Sequence, residues 1–430
     1  MKTNLQLAYF ADDFTGSTDA LEFLTRAGLK TALFLEPPSP EQLACHPGLQ
    51  AIGVAGLTRS LAPEPMEAAL RPAFTSLRAL GPRHVHYKVC STFDSSPMTG
   101  SIGRAIDVGA AIFQKEFVPL LVGAPALGRY CVFGQLFARY GIGSAGAIHR
   151  LDRHPAISRH PVTPMTEADL LVHLAQQTTK RSALLDLLQL DLPPAETRAV
   201  LDTLVNKGAE VVLFDLLRAD QLAHIGSLID SFASHDRPLF SVGSSGIEMV
   251  LGAHWANSPP TPFQTLGPAQ PLLGISGSCS PVTAGQISHA LAHGFTGIAL
   301  APDGSNLAET TAAAIATLHA GHHTLVYTSR GEATATAPAA ILGAALGQLA
   351  RAAIAQTKAK RLVVAGGDTS SYAARALGLE SLEMIAPLSP GTPLCRAYAP
   401  GSPANGIEIN FKGGQVGTEN YFTAVAQGIF

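Results

Sequence analysis

Five prolines fall within the 14 residues SPPTPFQTLGPAQP, Ser258 to Pro271. Proline fixes φ and lacks an N–H, so this density forbids both a helix and an inner strand and marks a linker. The chain therefore divides into an N-terminal domain over residues 1–257, a linker over 258–271 and a C-terminal domain over 272–430. Short apolar or β-branched runs alternate with amphipathic stretches on both sides of the break. Before it, the spacing predicts strands at Gln6–Phe10, Thr31–Leu35, Ala51–Val54, Val85–Val89 and Val118–Val122, with helices at Ser17–Ala27, Pro65–Leu80 and Ser101–Gln114. After it, strands are expected at Pro271–Ile275, Thr296–Leu300, Thr324–Thr328 and Arg361–Ala365, and helices at Val282–Ala292, Leu307–Leu318 and Ala339–Thr357. This alternation is the mark of α/β architecture: two domains, each a mainly parallel sheet with flanking helices, joined by the Pro-rich linker.

Composition narrows the partners. Lys and Arg number 29 against 32 Asp and Glu, a formal charge of −3, with no basic block for a phosphodiester backbone, so nucleic acid is not an expected ligand. Charged residues are only 14% of the chain, which suits tightly packed layers. The apolar run Ala339 to Ala350 holds Gln348 and stops at Arg351, short of the ~20 residues a spanning helix needs, so no membrane is expected. Met1 to Phe10 carries no secretory h-region. Five scattered cysteines with no C-x-x-C pair fit reduced, structural thiols and a cytoplasmic protein.

In parallel sheets ligands sit beyond the carboxyl ends of the strands, so polar residues just after a strand carry the most weight. After the first strand comes ADDFTGSTDA, Ala11 to Ala20. Its adjacent carboxylates, Asp12 and Asp13, suit a general base, a Mg²⁺ ligand or, for one of them, a helix cap. YKVCSTFDSSP, Tyr87 to Pro97, places Lys88 on a strand and Ser91, Thr92 and Asp94 beyond it. On a buried strand Lys88 needs a carboxylate partner or an anionic ligand; on an edge strand it is merely solvated. GISGSCSPVTAGQI, Gly274 to Ile287, and VAGGDTSSYAARALG, Val364 to Gly378, each run from a strand through small residues into a helix. Backbone N–H groups at such junctions bind phosphate, although tight packing with an ordinary cap gives the same pattern. With FKGGQVG, Phe411 to Gly417, they point to a nucleotide.

Other patterns lead elsewhere. GIGSAG, Gly141 to Gly146, has the dinucleotide glycine spacing but follows a helix-like stretch, Gly134 to Tyr140, instead of a strand. His319, His322 and His323 lack carboxylate or thiol neighbours and read as surface histidines. A P-loop signature does not occur.

In combination, ADDFTGSTDA, LTRS (Leu57 to Ser60), YKVCSTFDSSP with GSIG (Gly100 to Gly103), HPVTPMTEADL (His160 to Leu170), SGSCSPVT, VAGGDTS, LSPGTP (Leu388 to Pro393) and KGGQVG resemble the four-carbon acid sugar kinase family over nearly the whole chain. The resemblance implies an N-terminal domain that binds an acid sugar and a C-terminal domain that binds ATP. It implies catalytic candidates Asp12, Asp13, Lys88 and Asp94, and substrate contacts at Arg59, Ser91, Thr92, Arg129 and His160. ATP contacts are implied at Ser276, Gly366, Gly367, Asp368, Thr369, Ser370 and Gly414. Arg59 suits a bidentate clamp on a carboxylate. Two departures stand out. Ser371 replaces the glycine that usually ends the GGDTS motif, and the segment Gly123 to Gly134 is shorter than the Asn-containing version of tetronate and 3-oxo-tetronate kinases. A shorter loop admits another carbon skeleton, such as that of the branched acid 3-oxo-isoapionate.

The expected function is ATP-dependent phosphorylation of a hydroxyl on a small sugar acid, with ATP and Mg²⁺ as cofactors and lobes that close over both substrates. Asp12 is the first choice of base, Asp13 and Asp94 its competitors, and the Mg²⁺ ligands are not assigned. The rival classes are a nicotinamide-dependent sugar-acid oxidoreductase and a non-catalytic sugar-acid-binding protein. Self-association is left open.

Overall fold

The computed structural model describes residues 5–140, 146–159, 163–256, 263, 265–269, 271–330 and 338–429. Half of the expected linker and His160 therefore lie outside the described residues, as does most of the GIGSAG segment. Two compact units emerge, Met1–Ala32 with Pro37–Thr261 and Leu33–Glu36 with Pro262–Phe430.

The first unit contains strands β1 (Leu7–Ala11), β2 (Thr31–Phe34), β3 (Ala51–Ala55), β4 (His84–Lys88), β5 (Val118–Leu121), β6 (Arg129–Val132), β7 (Gln135–Arg139), β8 (Ile148–Arg150), β9 (Ser182–Leu185), β10 (Val211–Phe214) and β11 (Leu239–Gly243), apart from the Leu33–Phe34 tip of β2. Seven of these form a parallel array in the order β3-β1-β4-β11-β5-β10-β9. Every residue of β1, β3, β4, β5 and β11 is buried, as continuous apolar runs are when helices cover both faces. The helix Phe14–Arg26 starts at its N-cap Asp13, and the helices Pro63–Ala79 and Ile102–Phe113 complete the early βα alternation. One face of the sheet rests on an aromatic cluster in which the Phe240 ring lies 5.2 Å from both Phe74 and Phe113, stacked flat on the latter.

The stretch Gly134 to Tyr140, expected to be helix-like, is instead strand β7, paired antiparallel with β6 and β8. Its residues alternate between buried Leu136 and Ala138 and half-buried neighbours, a period of two. The turn before it holds Phe133 and Gly134 at φ 50° and 76°, the two positive values of a tight hairpin. Seven residues are too few to distinguish that alternation from a helical face.

The second unit holds β12 (Leu272–Ser276), β13 (Thr296–Ala299), β14 (Thr324–Tyr327), β15 (Arg361–Ala365), β16 (Ser381–Ser389), β17 (Thr392–Tyr398) and β18 (Glu408–Lys412), in the order β13-β14-β12-β15-β18-β17-β16. The first five in that order are parallel, while β17 and β16 turn antiparallel, and Leu33 and Phe34 pair with Leu382 and Ser381. The helix Ala339–Gln356 is apolar and long enough, by length and composition, to cross a bilayer. Here its glycines bring it against the helix Gly367–Ala376: a methyl at Gly347 would come within 2.7 Å of the Ala376 Cβ. Leu342, Leu346, Leu349 and Ala353 are buried along it, so it serves as a core helix of this unit.

The Phe240 packing gives a test. A methyl on Gly109 would overlap the Phe240 ring. Gly109→Ala should destabilise the protein by about 1–3 kcal/mol through overpacking, read as a lower midpoint in urea with unchanged ligand affinities. An unshifted midpoint would show that the ring is free to move.

Candidate functional site

In the first unit β1, β3, β4 and β11 end level with one another, Ala11 being in register with both Ala55 and Lys88, and Lys88 with Gly243. The ladder continues one step past the strands. The Asp12 N–H donates to the Lys88 carbonyl at 2.9 Å, and the Arg59 N–H to the Asp12 carbonyl at 3.1 Å. Asp12, Arg59 and Lys88, far apart in sequence, are thereby fixed side by side at the carboxyl edge of the sheet.

Asp13 turns into the helix Phe14–Arg26, accepting the Gly16 N–H at 2.5 Å and the Thr15 hydroxyl at 3.2 Å. Arg59 donates to Asp13 and, at 3.3 Å, to Asp94 Oδ2, while its Nε lies 3.9 Å from Asp12 Oδ2. The expected substrate clamp thus has its guanidinium turned to three carboxylates of its own chain, with 30% of the side chain exposed. Thr92 donates to Asp94 Oδ2 at 2.9 Å and lies 2.9 Å from the Cys90 thiol, so the loop after β4 is tied to the same carboxylates. Phe93 adopts φ 56° within that loop, the sharp reversal that brings Asp94 back toward Arg59. Ser91 is buried beside them.

Lys88 is buried and has the carboxylate partner its strand position demanded: Asp19 Oδ2 at 3.3 Å, which also accepts a hydrogen bond from Ser245. Glu248 is fully buried, with both carboxyl oxygens lacking a hydrogen-bond partner among the described residues and His86 Nε2 3.6 Å away. A methyl placed on Gly16 would lie 3.3 Å from Lys88 Nζ and 3.8 Å from Asp12 Oδ1, so only glycine leaves the space between these groups open.

Electrostatics separates the acids. Burial pushes the Asp12 carboxyl up to about 7, Asp13 and Asp94 adding to it and Arg59 and Lys88 only partly offsetting it. Burial acts on Asp13 too, but Arg59 and the Gly16 N–H outweigh it and hold that carboxyl below its ordinary value. Burial likewise lifts Glu248 to about 8 and drops His86 to about 3, leaving the first protonated and the second neutral near pH 7. Burial would discharge Lys88, but Asp19 first, with Glu248 and Asp12 once they are ionised, holds its pKa above the ordinary lysine value.

Arg129 is buried, its guanidinium donating to the carbonyls of Leu127 at 3.0 Å and Arg139 at 3.2 Å. It pins the hairpin β6–β7, which starts inside the short Gly123–Gly134 segment. Its Nε has no partner among the described residues, and burial lowers its pKa against the opposing pull of Asp94 and Asp19. Asp215 accepts the Phe133 N–H at 2.6 Å and the Gly134 N–H at 3.0 Å, holding the tip of the same hairpin.

The second unit gathers its candidates in the same way. The Gly277 N–H donates to Ala365 O at 3.2 Å and the Gly366 N–H to Lys412 O at 2.9 Å, again one step past paired strands. Ser276 ends β12 fully buried. Gly366 sits at φ 119°, a value only glycine adopts freely, and Gly367, Asp368, Thr369 and Ser370 form the first turn of the helix Gly367–Ala376. A methyl on Gly366 would lie 2.9 Å from Thr369 Oγ1, whereas one on Gly367 would meet open space. A methyl on Gly414 would come within 2.7 Å of Ser278 Oγ, so the loop after β18 lies directly on the turn after β12. These bared amides and hydroxyls fit a polyphosphate, and Gly367 presents the unhindered face.

The sequence reading missed Asp19, Ser245, Glu248 and Lys412. The signal for Asp19 was present in ADDFTGSTDA, where it lies three residues, nearly one helical turn, beyond Gly16. That for Lys412 was the alternation of Asn410 and Lys412 on a buried strand. Among the described residues no group of three or more His, Cys, Asp or Glu is arranged to hold a metal ion.

A pair of strand-edge sites, one rich in carboxylates and cations and one in bare backbone amides, defines a two-domain phosphotransferase fold. The chain matches the sugar-binding N-terminal domain family over residues 7–251 and the nucleotide-binding C-terminal domain family over 273–422. It belongs to the family of sugar-acid kinases built from those two domains. It is 42% identical to the 3-oxo-isoapionate kinase of Paraburkholderia graminis, over 99% of this chain and 94% of that one. It is also 30% identical to the 3-oxo-tetronate kinase of Salmonella typhimurium, over 97% and 98%. Among solved structures, a Salmonella typhimurium LT2 protein described as a tRNA synthase superposes with TM-score 0.78 at 25% identity, covering 99% of this chain and all of that one. The Haemophilus influenzae protein HI1011 superposes with TM-score 0.72 at 22% identity over 98% of this chain, a likeness of fold.

The two buried acids behind Lys88 give opposite expectations. Glu248→Gln replaces an already neutral group and should leave urea stability at pH 7 within about 0.5 kcal/mol. Asp19→Asn strips a buried ammonium of its counter-charge and should cost about 3 kcal/mol. Equal losses in the two variants would show that Glu248 is ionised at pH 7 and shares the counter-charge of Lys88 with Asp19.

Proposed function

We propose that this protein transfers the terminal phosphoryl group of ATP to a hydroxyl of a branched 3-oxo sugar acid of the 3-oxo-isoapionate type. The acid is bound by the first unit and ATP by the second, with the division near residues 258–271. The 42% identity to a 3-oxo-isoapionate kinase supports the branched skeleton over the linear tetronates, and so does the short Gly123–Gly134 segment. The observation that carries the chemistry is Asp12, a buried carboxyl at the sheet edge whose Oδ1 has no partner among the described residues.

Phosphoryl transfer asks mainly for positioning and for neutralisation of charge. Asp12 accepts the proton of the attacking hydroxyl at Oδ1. Its pKa of about 7 leaves it largely ionised at slightly alkaline pH and still basic enough to take that proton. Lys88, held charged by Asp19, offsets the negative charge that develops beside it. Asp13 caps the following helix and keeps Arg59 in place. Arg59 aligns Asp94 and offers its exposed side to the substrate carboxylate, with Ser91, Thr92, Arg129 and His160 as further substrate contacts. Ser276, Gly366, Gly367, Asp368, Thr369, Ser370 and Gly414 cradle the nucleotide. Mg²⁺ arriving with ATP supplies charge neutralisation at the phosphates, and the unpartnered Asp94 Oδ1 fits one of its few protein ligands. ATP as donor and five free thiols support a cytoplasmic setting.

Steady-state kinetics with purified enzyme should give a higher kcat/KM for 3-oxo-isoapionate than for 3-oxo-tetronate, and the reverse order would overturn the substrate assignment. Asp12→Asn should fold, bind both substrates and lose at least ~100-fold in kcat. In the wild type kcat/KM should fall as pH drops below about 7, because the base is then protonated. Asp13→Asn should mainly lower the melting temperature, by an amount equivalent to ~1 kcal/mol. A nearly active Asp12→Asn enzyme would move the base to Asp94 or Asp13.

A further inference from the structure

Two lysines end inner strands fully inside the protein, Lys88 on β4 and Lys412 on β18. They differ in their neighbours. Lys88 has Asp19 at 3.3 Å. Lys412 Nζ donates to Thr283 Oγ1 and to Gly413 O, both at 3.1 Å, and stands 5.4 Å over the Tyr421 ring. Both acceptors are neutral oxygens. No charged group among the described residues acts on Lys412, and burial alone pushes its pKa down to about 7. An ammonium enclosed without a counter-charge costs several kcal/mol, so a fold that keeps one there is matched to an anion from outside.

Its position says which anion. The Lys412 carbonyl receives the Gly366 N–H, and Gly413 leads directly into Gly414, which lies on Ser278. Thr283, on the helix that follows Ser276–Ser280, donates its hydroxyl proton to Gly414 O at 2.8 Å. Its oxygen is therefore oriented to accept from Lys412, which fixes the direction of the Nζ. The lysine stands where the three phosphate-cradling segments meet, and an ammonium has three N–H bonds, of which two are engaged.

We infer that Lys412 supplies the cation for the nucleotide's polyphosphate, directing its third N–H at a phosphate oxygen. The inference rests on reading the second unit as the ATP site. Backbone amides alone orient a phosphate; a buried lysine adds a full charge that adenosine cannot use. Among the described residues the titratable side chain shown against it is Tyr421, and the helix Pro281–Ala292 meets it with the Thr283 hydroxyl. Phosphate binding therefore loads the proton onto Lys412.

Isothermal titration of ADP and of adenosine, at pH 8 in two buffers of different ionisation enthalpy, tests this. Wild type should take up close to one proton with ADP and none with adenosine. Lys412→Met should bind ADP about 10- to 100-fold more weakly, lose the uptake and keep its adenosine affinity. Lys412→Arg, which stays charged, should keep much of the ADP affinity without the uptake, and it serves if the Met variant does not fold. Undiminished ADP affinity in Lys412→Met, or proton uptake persisting in either variant, would overturn the role of Lys412 while leaving the ATP site standing. A wild type that binds no adenine nucleotide would overturn the ATP site itself, and Lys412 with it.

Discussion

One backbone hydrogen bond, from the Asp12 N–H to the Lys88 carbonyl, sets the geometry on which the first unit's site depends. It extends the parallel ladder one residue beyond β1, onto the last residue of β4. Because the Asp12 carbonyl then receives the Arg59 N–H, a carboxylate, a guanidinium and an ammonium are positioned by main-chain atoms before any side chain chooses a rotamer. Side-chain pairing follows from that placement. Three acids and two cations held within one another's field cannot all keep ordinary proton affinities, and the least compensated of them, Asp12, emerges as the basic one.

The second unit uses the same extension for a different end. Gly277 and Gly366 reach one step past β12 and β15, but the residues they bring to the edge are mostly glycines and hydroxyls, so amides are presented instead of charges. One polymer geometry thus serves two recognition problems. On the proposed reading, the sugar-acid side needs protons moved and therefore tuned side chains, while the nucleotide side needs an anion held and therefore exposed N–H groups.

Many of the elements were legible because each unit is built on a mainly parallel array whose central strands are buried on both faces, giving apolar runs with helices between them. Strand ends were legible too, which is why Asp12, Lys88 and Gly366 were singled out, whereas Gly414 was reached through the FKGGQVG motif without the strand Glu408–Lys412 that leads into it. What escaped depended on packing between distant segments. Glu248 lies in a helix that looks like any apolar helix carrying one acid, and nothing local says that it faces Lys88, 160 positions earlier. Arg59 was readable as a residue of the site, but its pairing with Asp13 and Asp94 depends on the loop reversal at Phe93. The strand Gln135–Arg139 was misread because a short hairpin takes its identity from the positive φ angles of its turn and from partners on either side.

That hairpin stands apart from the parallel array of the first unit and is tied to it by the paired Cys131 and Leu216 backbones and by Asp215 at its tip, with Arg129 bracing its base. Lengthening such a loop costs little in closure entropy, about 0.6 kcal/mol for each doubling. On the proposed reading, a change of length in the Gly123–Gly134 segment reshapes the room left for the acid while the rung between Asp12 and Lys88 keeps its place, so the choice of carbon skeleton and the chemistry performed on it are set by different parts of the chain.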